Sequence, residues 1–276
     1  MLFAQDPNEA VMNPGTMDES QKPLLDQERA RFAAELRDGE HQRDQWLAML
    51  AHELRGPLAA VSNAIRLLER PDLGPAEAAW CREVAGRQVR HLAHLLDDLL
   101  DISRVRLGKI QLKREGVDLH AAIGRVLTPA GPRIAAHRLR METRLPAEAV
   151  VVSADSHRLE QVISNLVHNA LKFTPDGGRI VLTVARDGPE AIVTVRDEGI
   201  GIAPDLLPRI FEPFIQAEST IDRPEGGLGL GLSLVRSLCE MHGGRVSACS
   251  DGPGTGSLFE LRWPLLSPHP TSPEGI

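Results

Sequence analysis

The chain has 276 residues, 42% hydrophobic and 25% charged, the composition of a globular protein long enough for two domains and a connecting segment. A formal net charge of −7 argues against a nucleic-acid-binding surface, which carries a basic excess. Three widely spaced cysteines, Cys81, Cys239 and Cys249, form no CxxC pair, so neither a disulfide framework nor a zinc site is expected and a reducing compartment is the default.

No run of about 18 apolar residues occurs, so no membrane segment is expected in this chain. The start, MLFAQDPNEAVMNPG, lacks the basic and apolar stretches of a signal peptide, and a cytoplasmic location is expected. Residues 1–20 are polar and read as disordered. Residues 21–46, with apolar points at Leu25, Phe32 and Leu36, read as a helical linker, either a coiled coil or a charged surface helix; Gly39 weakens it.

From Leu47 a helical period sets in. Leu47, Leu50, Leu54, Leu58, Val61, Ile65 and Leu68 recur at steps of three and four and form one apolar stripe, ended by the breaker cluster Pro71-Asp72-Leu73-Gly74-Pro75. A second helix is predicted over 76–106, with Trp80, Val84, Leu92, Leu95, Leu99 and Ile102 on its apolar side. The short turn makes an antiparallel hairpin, assigned to a domain of residues 47–114. One hairpin cannot cover both stripes, so a homodimer is expected to bury them in a four-helix bundle.

Residues 115–266 alternate short strands and helices. Strands are predicted at 138–144 and 149–153, a helix at 155–172, and strands at 179–186 and 190–196 joined by Asp187-Gly188-Pro189. A helix at 229–242 and strands at 244–250 and 256–263 follow, and 267–276 reads as a loose tail. The fold class is α+β: a helical hairpin followed by a two-layer α/β sandwich with helices on one face of a mixed sheet.

Four polar elements mark the second domain. On helix 155–172, Gln161, Asn165 and Asn169 fall at i, i+4 and i+8, with Lys172 three further on. Amide oxygens suit a hard cation such as Mg2+, and an ammonium meets phosphate, although a solvated helix face would look the same. Asp197-Glu198-Gly199-Ile200-Gly201 ends a strand, where a carboxylate can accept from an exocyclic amine and glycines let backbone approach a ring. Gly226-Gly227-Leu228-Gly229-Leu230-Gly231-Leu232 opens a helix and offers N–H groups to phosphate. It is neither a Walker loop nor a Rossmann fingerprint. Before it, residues 212–225 lack periodicity and read as a mobile lid. The last element, Gly252 to Ser257, is a turn between strands. Together they make a nucleotide-sized set of contacts.

In this order and spacing the elements resemble the ATP-binding domain of histidine kinases, part of a superfamily shared with gyrase, mismatch-repair ATPases and a heat-shock chaperone. NLVHNALKFTPDGG (Asn165 to Gly178) is similar to the N-box, DEGIGI (Asp197 to Ile202) to the G1 box, IFEPF (Ile210 to Phe214) to the F-box and GGLGLGL (Gly226 to Leu232) to the G2 box. Gly254 to Phe259 meets the closing G-x-G-[ST]-x-F pattern. Upstream, Met49-Leu50-Ala51-His52-Glu53-Leu54-Arg55-Gly56-Pro57-Leu58 resembles the H-box, which the other ATPases lack. From the period alone, His52 is expected to point away from the apolar stripe.

The resemblance implies autophosphorylation of His52 from ATP and transfer to an aspartate of a separate response regulator. It implies that Glu53 is the general base, that Asn165 carries Mg2+ with Asn169 assisting, and that Lys172 meets phosphate. It further implies that Asp197 reads the adenine amine, Gly199 and Gly201 shape the base pocket, Gly227, Gly229 and Gly231 line the phosphates, and Ser257 joins the nucleotide contacts. Two positions depart from the family. Gly56 stands where Thr or Asn is usual, which implies weak or absent phosphatase activity, and Gln216 follows the F-box where some relatives have Arg, leaving Arg223 as a substitute. A non-kinase ATPase of the superfamily and an inactive dimeric scaffold are the competing readings.

Overall fold

A computed structural model of the chain describes residues 48, 50, 51, 53–215 and 228–266, within two units divided between Ala51 and His52. His52, the 21–46 linker and Gln216 to Gly227, including Arg223, lie outside the described residues.

Residues 53–68 are helical (α1), and a turn held by the Arg70–Asp72 ion pair leads to α2, Pro75–Arg106. Pro75 occupies the first turn, where its missing N–H is no loss, and Glu77 accepts the Gly74 N–H at 3.1 Å. Ala64, Cys81 and Leu95 are buried, whereas Leu58 and Ile65 on α1 and Val89, Leu96 and Leu100 on α2 stay about half exposed.

The second part begins with β1 (Glu115–Asp118) and α3 (Leu119–Ala136), then β2 (Arg140–Arg144), β3 (Val151–Ala154) and α4 (Ser156–Phe173). The hairpin β4 (Arg179–Asp187) and β5 (Glu190–Asp197) follows, then α5 (Gly231–Met241), β6 (Arg245–Cys249) and β7 (Ser257–Pro264). Five strands form one sheet in the order β2-β4-β5-β7-β6, with β2 parallel to β4 and the other pairs antiparallel. The predicted strand at 149–153 is β3, but it pairs with β1 in a separate two-stranded sheet.

Alternation places the core. Ile180, Leu182 and Val184 of β4, Ala191, Val193 and Val195 of β5, and Phe259, Leu261 and Trp263 of β7 are buried on one face. Against them lie Leu159, Val162, Ile163, Leu166 and Ala170 of α4 and Leu234, Val235 and Leu238 of α5. Aspartates cap two helices: Asp118 accepts from the His120 N–H at 2.9 Å and Asp155 from the Arg158 N–H at 3.1 Å.

Candidate nucleotide-binding site

β5 delivers Asp197 to its C-terminal end, directly opposite the first residue of β7, Ser257. Asp197 is 5% exposed. Its Oδ1 accepts the Gly199 N–H at 2.8 Å and its Oδ2 accepts the Ser257 hydroxyl. Burial pushes its pKa above the ordinary carboxylate value, and the Ser257 and Gly199 hydrogen bonds oppose that rise.

The loop after Asp197 is woven into the turn before β7. The Gly254 N–H reaches the Ile200 carbonyl at 2.6 Å and the Gly256 N–H reaches that of Gly199 at 3.1 Å. Gly201 has φ +70, and a Cβ there would collide with the Gly252 carbonyl oxygen, so this packing requires glycine. The Ile200 N–H donates to Phe173 at 3.2 Å and ties the loop to the last residue of α4.

α4 presents the predicted amide face, with Asn165, Asn169 and Lys172 all half-buried. The Lys172 ammonium lies 4.9 Å from the Phe173 ring centroid. Asn165 Nδ2 is buried with no hydrogen-bond partner among the described residues. Gly231, the first residue of α5, sits beside that amide: a Cβ at 231 would be 3.5 Å from Asn165 Oδ1. α5 opens without a side-chain cap, which leaves its first N–H groups to an anion.

The F-box holds this helix start in place. The Phe214 N–H bonds the Gly229 carbonyl at 3.0 Å, Gly229 has φ +67, and Phe211 packs edge-on to Phe259 at 6.4 Å. Thus Asn165 and Gly231 are neighbours, while Asp197, Gly199 and Ser257 are hydrogen-bonded together with Gly201 packed on the turn before β7. Gly227 and His52 lie outside the described residues, and Glu53 is a half-buried residue of α1.

Gln161 leaves the predicted face. Its amide donates to Asp101 of α2 at 2.8 Å and its oxygen accepts from Arg158 at 2.7 Å, so it serves the junction with the stem. Asp101 and Arg158 were not singled out by motif or period, and a contact spanning 57 residues leaves no local signal.

Residues 42–108 match the His Kinase A (phospho-acceptor) domain, and residues 154–267 match the histidine kinase-, DNA gyrase B-, and HSP90-like ATPase. The chain belongs to the histidine kinases. The uncharacterized sensor-like histidine kinase R01002 of Rhizobium meliloti is 33% identical over 86% of this histidine kinase core and 46% of its own length. Acinetobacter baumannii histidine kinase AdeS superposes with a TM-score of 0.60 at 26% identity, covering 78% of this chain and 98% of that one. Full-length ShkA in complex with AMPPNP superposes at 0.59 and 32% identity, covering 79% and 45%. The core spans less than half the length of the curated relatives it matches. No helix among its described residues is long and apolar enough to cross a membrane.

Proposed function

We propose that this core binds ATP between α4, α5 and the Asp197 loop, transfers the γ-phosphate to an imidazole nitrogen of His52, and passes it to an aspartate of a separate response regulator. The observation that carries the reading is the convergence of an unpartnered Asn165 amide on the uncapped start of α5, while the same α4 ends against the loop that follows buried Asp197. The AMPPNP complex of ShkA supports an adenine nucleotide as the ligand.

In this reading Asp197 accepts from the adenine amine, with Ser257 and Gly199 orienting its carboxylate. The N–H groups around Gly229 and Gly231, with Gly227, receive the phosphates, and Lys172 adds a cation. The donor set fits Mg2+, which takes few protein oxygens beside substrate phosphates and water: Asn165 would hold it with Asn169 assisting, and it would supply charge neutralisation at the phosphates. Glu53 accepts the proton from the second ring nitrogen of His52 as the γ-phosphorus bonds to the first, its bond to the β,γ-bridging oxygen breaks and ADP leaves. Gly56 offers no side chain to orient water, so phosphatase activity is weak or absent. The working division is a phosphoacceptor domain at 47–114 and an ATP-binding domain at 115–266, with dimerisation through the exposed apolar faces of α1 and α2.

Incubation with γ-labelled ATP tests the transfer. The label is expected to be lost in acid, kept in base and absent in His52→Ala; a variant that hydrolyses ATP at the parent rate while the parent takes no label points to a plain ATPase instead.

A further inference from the structure

The loop after Asp197 is held by different means along its length. At its start Asp197 itself accepts the Gly199 N–H, and the Ile200 N–H reaches the Phe173 carbonyl of α4. Further on, the Ile202 N–H donates to a side chain, the Ser250 hydroxyl, at 3.0 Å. Ser250 is the first residue after β6. It precedes the glycines of the turn to β7 and is half-buried. Its oxygen accepts the Ile202 N–H and also faces the Gly252 N–H at 3.4 Å. Its proton goes to the Gly256 carbonyl at 2.7 Å, which is nearer than the Gly252 carbonyl at 3.4 Å. A serine hydroxyl offers one donor and two lone pairs, so these contacts use its whole capacity. Thr255 in the same turn differs: its hydroxyl donates to the Gly252 carbonyl at 2.7 Å and ties the turn only to itself.

The turn needs a tie of this kind. Gly252, Gly254 and Gly256 have φ of +118, +81 and +75, a path that favours glycine at each position. Glycine permits such a path without selecting it, because it has the most backbone freedom to lose on ordering. Selection comes from hydrogen bonds at fixed places. The Gly254 N–H to Ile200 and the Gly256 N–H to Gly199 are backbone bonds that depend on no side chain. The Ser250 bonds do depend on one, and they join the loop that leaves β5 to the turn that leaves β6 and to the residue that enters β7.

Gly256 carries the effect to the carboxylate. A Cβ at Gly256 would collide with the Asp197 carbonyl oxygen, so the two backbones lie in contact. The next residue is Ser257, whose hydroxyl donates to Asp197 Oδ2. Fixing the Gly256 carbonyl therefore fixes the point from which the Ser257 hydroxyl reaches that oxygen. On the loop side, Ile202 packs on the core and Gly201 packs on the Gly252 carbonyl. Without the Ser250 hydroxyl, the Ile202 N–H and the Gly256 carbonyl lose their partner together. Loop and turn then keep only their backbone bonds, and the path through three glycines loses its side-chain tie.

We propose that Ser250 is a positioning residue for adenine recognition: acting through Ile202 and Gly256, it clasps the Asp197 loop to the turn before β7 and keeps the Asp197 carboxylate aimed at the adenine amine. The proposal rests on the ATP-binding reading above. The phosphate contacts assigned to Asn165, Gly229 and Gly231 come from other elements and are left as they were. A site whose carboxylate is aimed in only a fraction of molecules binds more weakly by that fraction.

Calorimetric titration of the full chain with ATP and with purine riboside triphosphate, which lacks the amine, tests this. Ser250→Ala is expected to weaken the Kd for ATP at least about fivefold, as when the aimed population falls to about one fifth. The analogue is expected to lose less, so the preference for ATP falls. Ser250→Thr keeps the hydroxyl and is expected to retain the parental preference. Labelling at saturating ATP is expected to stay within about twofold of the parent, because lost ground-state binding raises KM without lowering kcat. An unchanged Kd for ATP in Ser250→Ala overturns the clasp. An equal loss for both ligands also overturns it, since that marks a general loosening, and so does a loss in Ser250→Thr as large as in Ser250→Ala. Should Ser250→Ala lose its cooperative melt, Ser250→Cys, whose thiol is a weak donor and acceptor, is read in its place with the same signs. A parent that binds no ATP ends the nucleotide reading and this proposal together; in a parent that binds ATP but takes no label, the two Kd values alone decide.

Discussion

Asp197 and Ser257 stand opposite each other across β5 and β7, and the serine hydroxyl donates to one carboxylate oxygen while the Gly199 N–H holds the other. The carboxylate is thus oriented but buried, and burial raises its pKa. A group whose folded pKa is raised contributes most below its unfolded value, here 3.8, and that contribution is lost as pH rises through the folded value. Ionisation of Asp197 therefore works against folding, while in the proposed reading the same carboxylate accepts from the adenine amine.

Asp197→Asn follows from this opposition. The amide keeps both contacts, its oxygen accepting from Gly199 and its nitrogen donating to the Ser257 oxygen, and it carries no buried charge. The melting temperature at neutral pH is expected to be equal or higher, and the Kd for ATP at least about tenfold weaker, because a donor now faces the adenine amine. Calorimetric titration and a melting curve check both; a lower melting temperature with parental affinity contradicts the assignment.

Asn165 shows the same opposition. Its buried Nδ2 has no partner among the described residues, a state that costs about 1–3 kcal/mol until something accepts from it. Asn165→Ala removes that orphan together with some packing, so stability measured by urea unfolding is expected to stay within about 1 kcal/mol of the parent. Labelling from ATP is expected to fall at least about 100-fold, the scale of losing a positioning and charge-stabilising contact. Parental labelling would remove Asn165 from the site.

The period of two placed β4, β5 and β7, and the apolar spacing placed α4, because burial on one face writes itself into neighbouring residues. α3 left no such trace. Its second half reads Thr128-Pro129-Ala130-Gly131-Pro132, a loop by composition, yet it is helical because buried Leu119, Ala122, Ile123 and Val126 anchor its first half. β1 has only four residues, and its pairing with β3 was invisible for the same reason that Asp101 was: the partner is distant in sequence. The sequence pattern put Asn165 on α4, Asp197 at the end of β5 and Gly231 at the start of α5, where the structure has them. It was misread at Gln161, where correct helical spacing met an unforeseen stem contact.

His242 predicts an acid sensitivity. It is fully buried, its Nε2 accepts the Asp155 N–H at 3.0 Å, and its Nδ1 donates to the Leu238 carbonyl at 2.7 Å, so the folded ring is neutral. Burial lowers its pKa below the ordinary 6.5. A depressed folded pKa means that the unfolded chain takes up the proton first, so stability is full above 6.5 and declines as pH falls toward the folded value. The urea midpoint is expected to fall between pH 7 and pH 5, and His242→Gln to flatten that decline at some loss of stability. A midpoint constant over this window in the parent speaks against a neutral His242.

Val89, Leu96 and Leu100 recur on α2 at steps of seven and four and are about half exposed, as are Leu58 and Ile65 on α1. A second hairpin is the proposed cover. Leu96→Glu together with Leu100→Glu is expected to convert a dimer to a monomer in light scattering, with the melting transition of the ATP-binding domain retained. A parent that is already monomeric at micromolar concentration rejects the bundle.

Gly56 lies in α1, and a Cβ at that position meets no atom within 4 Å. Threonine therefore fits, and it improves on glycine within a helix by about 0.3 kcal/mol. That gain falls where Pro57 already removes a backbone donor from the helix, so the added side chain stiffens a weak turn as well as supplying a hydroxyl. If the missing hydroxyl is what limits phosphatase activity, Gly56→Thr is sufficient to restore it. The reaction is read in a His52→Ala background, which excludes return of phosphate to the histidine, with a receiver domain that this chain phosphorylates and that has been loaded with acetyl phosphate. Loss of phosphate is expected to match the uncatalysed rate for His52→Ala alone and to rise about tenfold with Gly56→Thr, below the range of roughly 100- to 10,000-fold for a full general acid or base because a hydroxyl only orients the water. Fast dephosphorylation by His52→Ala with Gly56 intact would show that water is positioned by some other group, and the role given to Gly56 would fall.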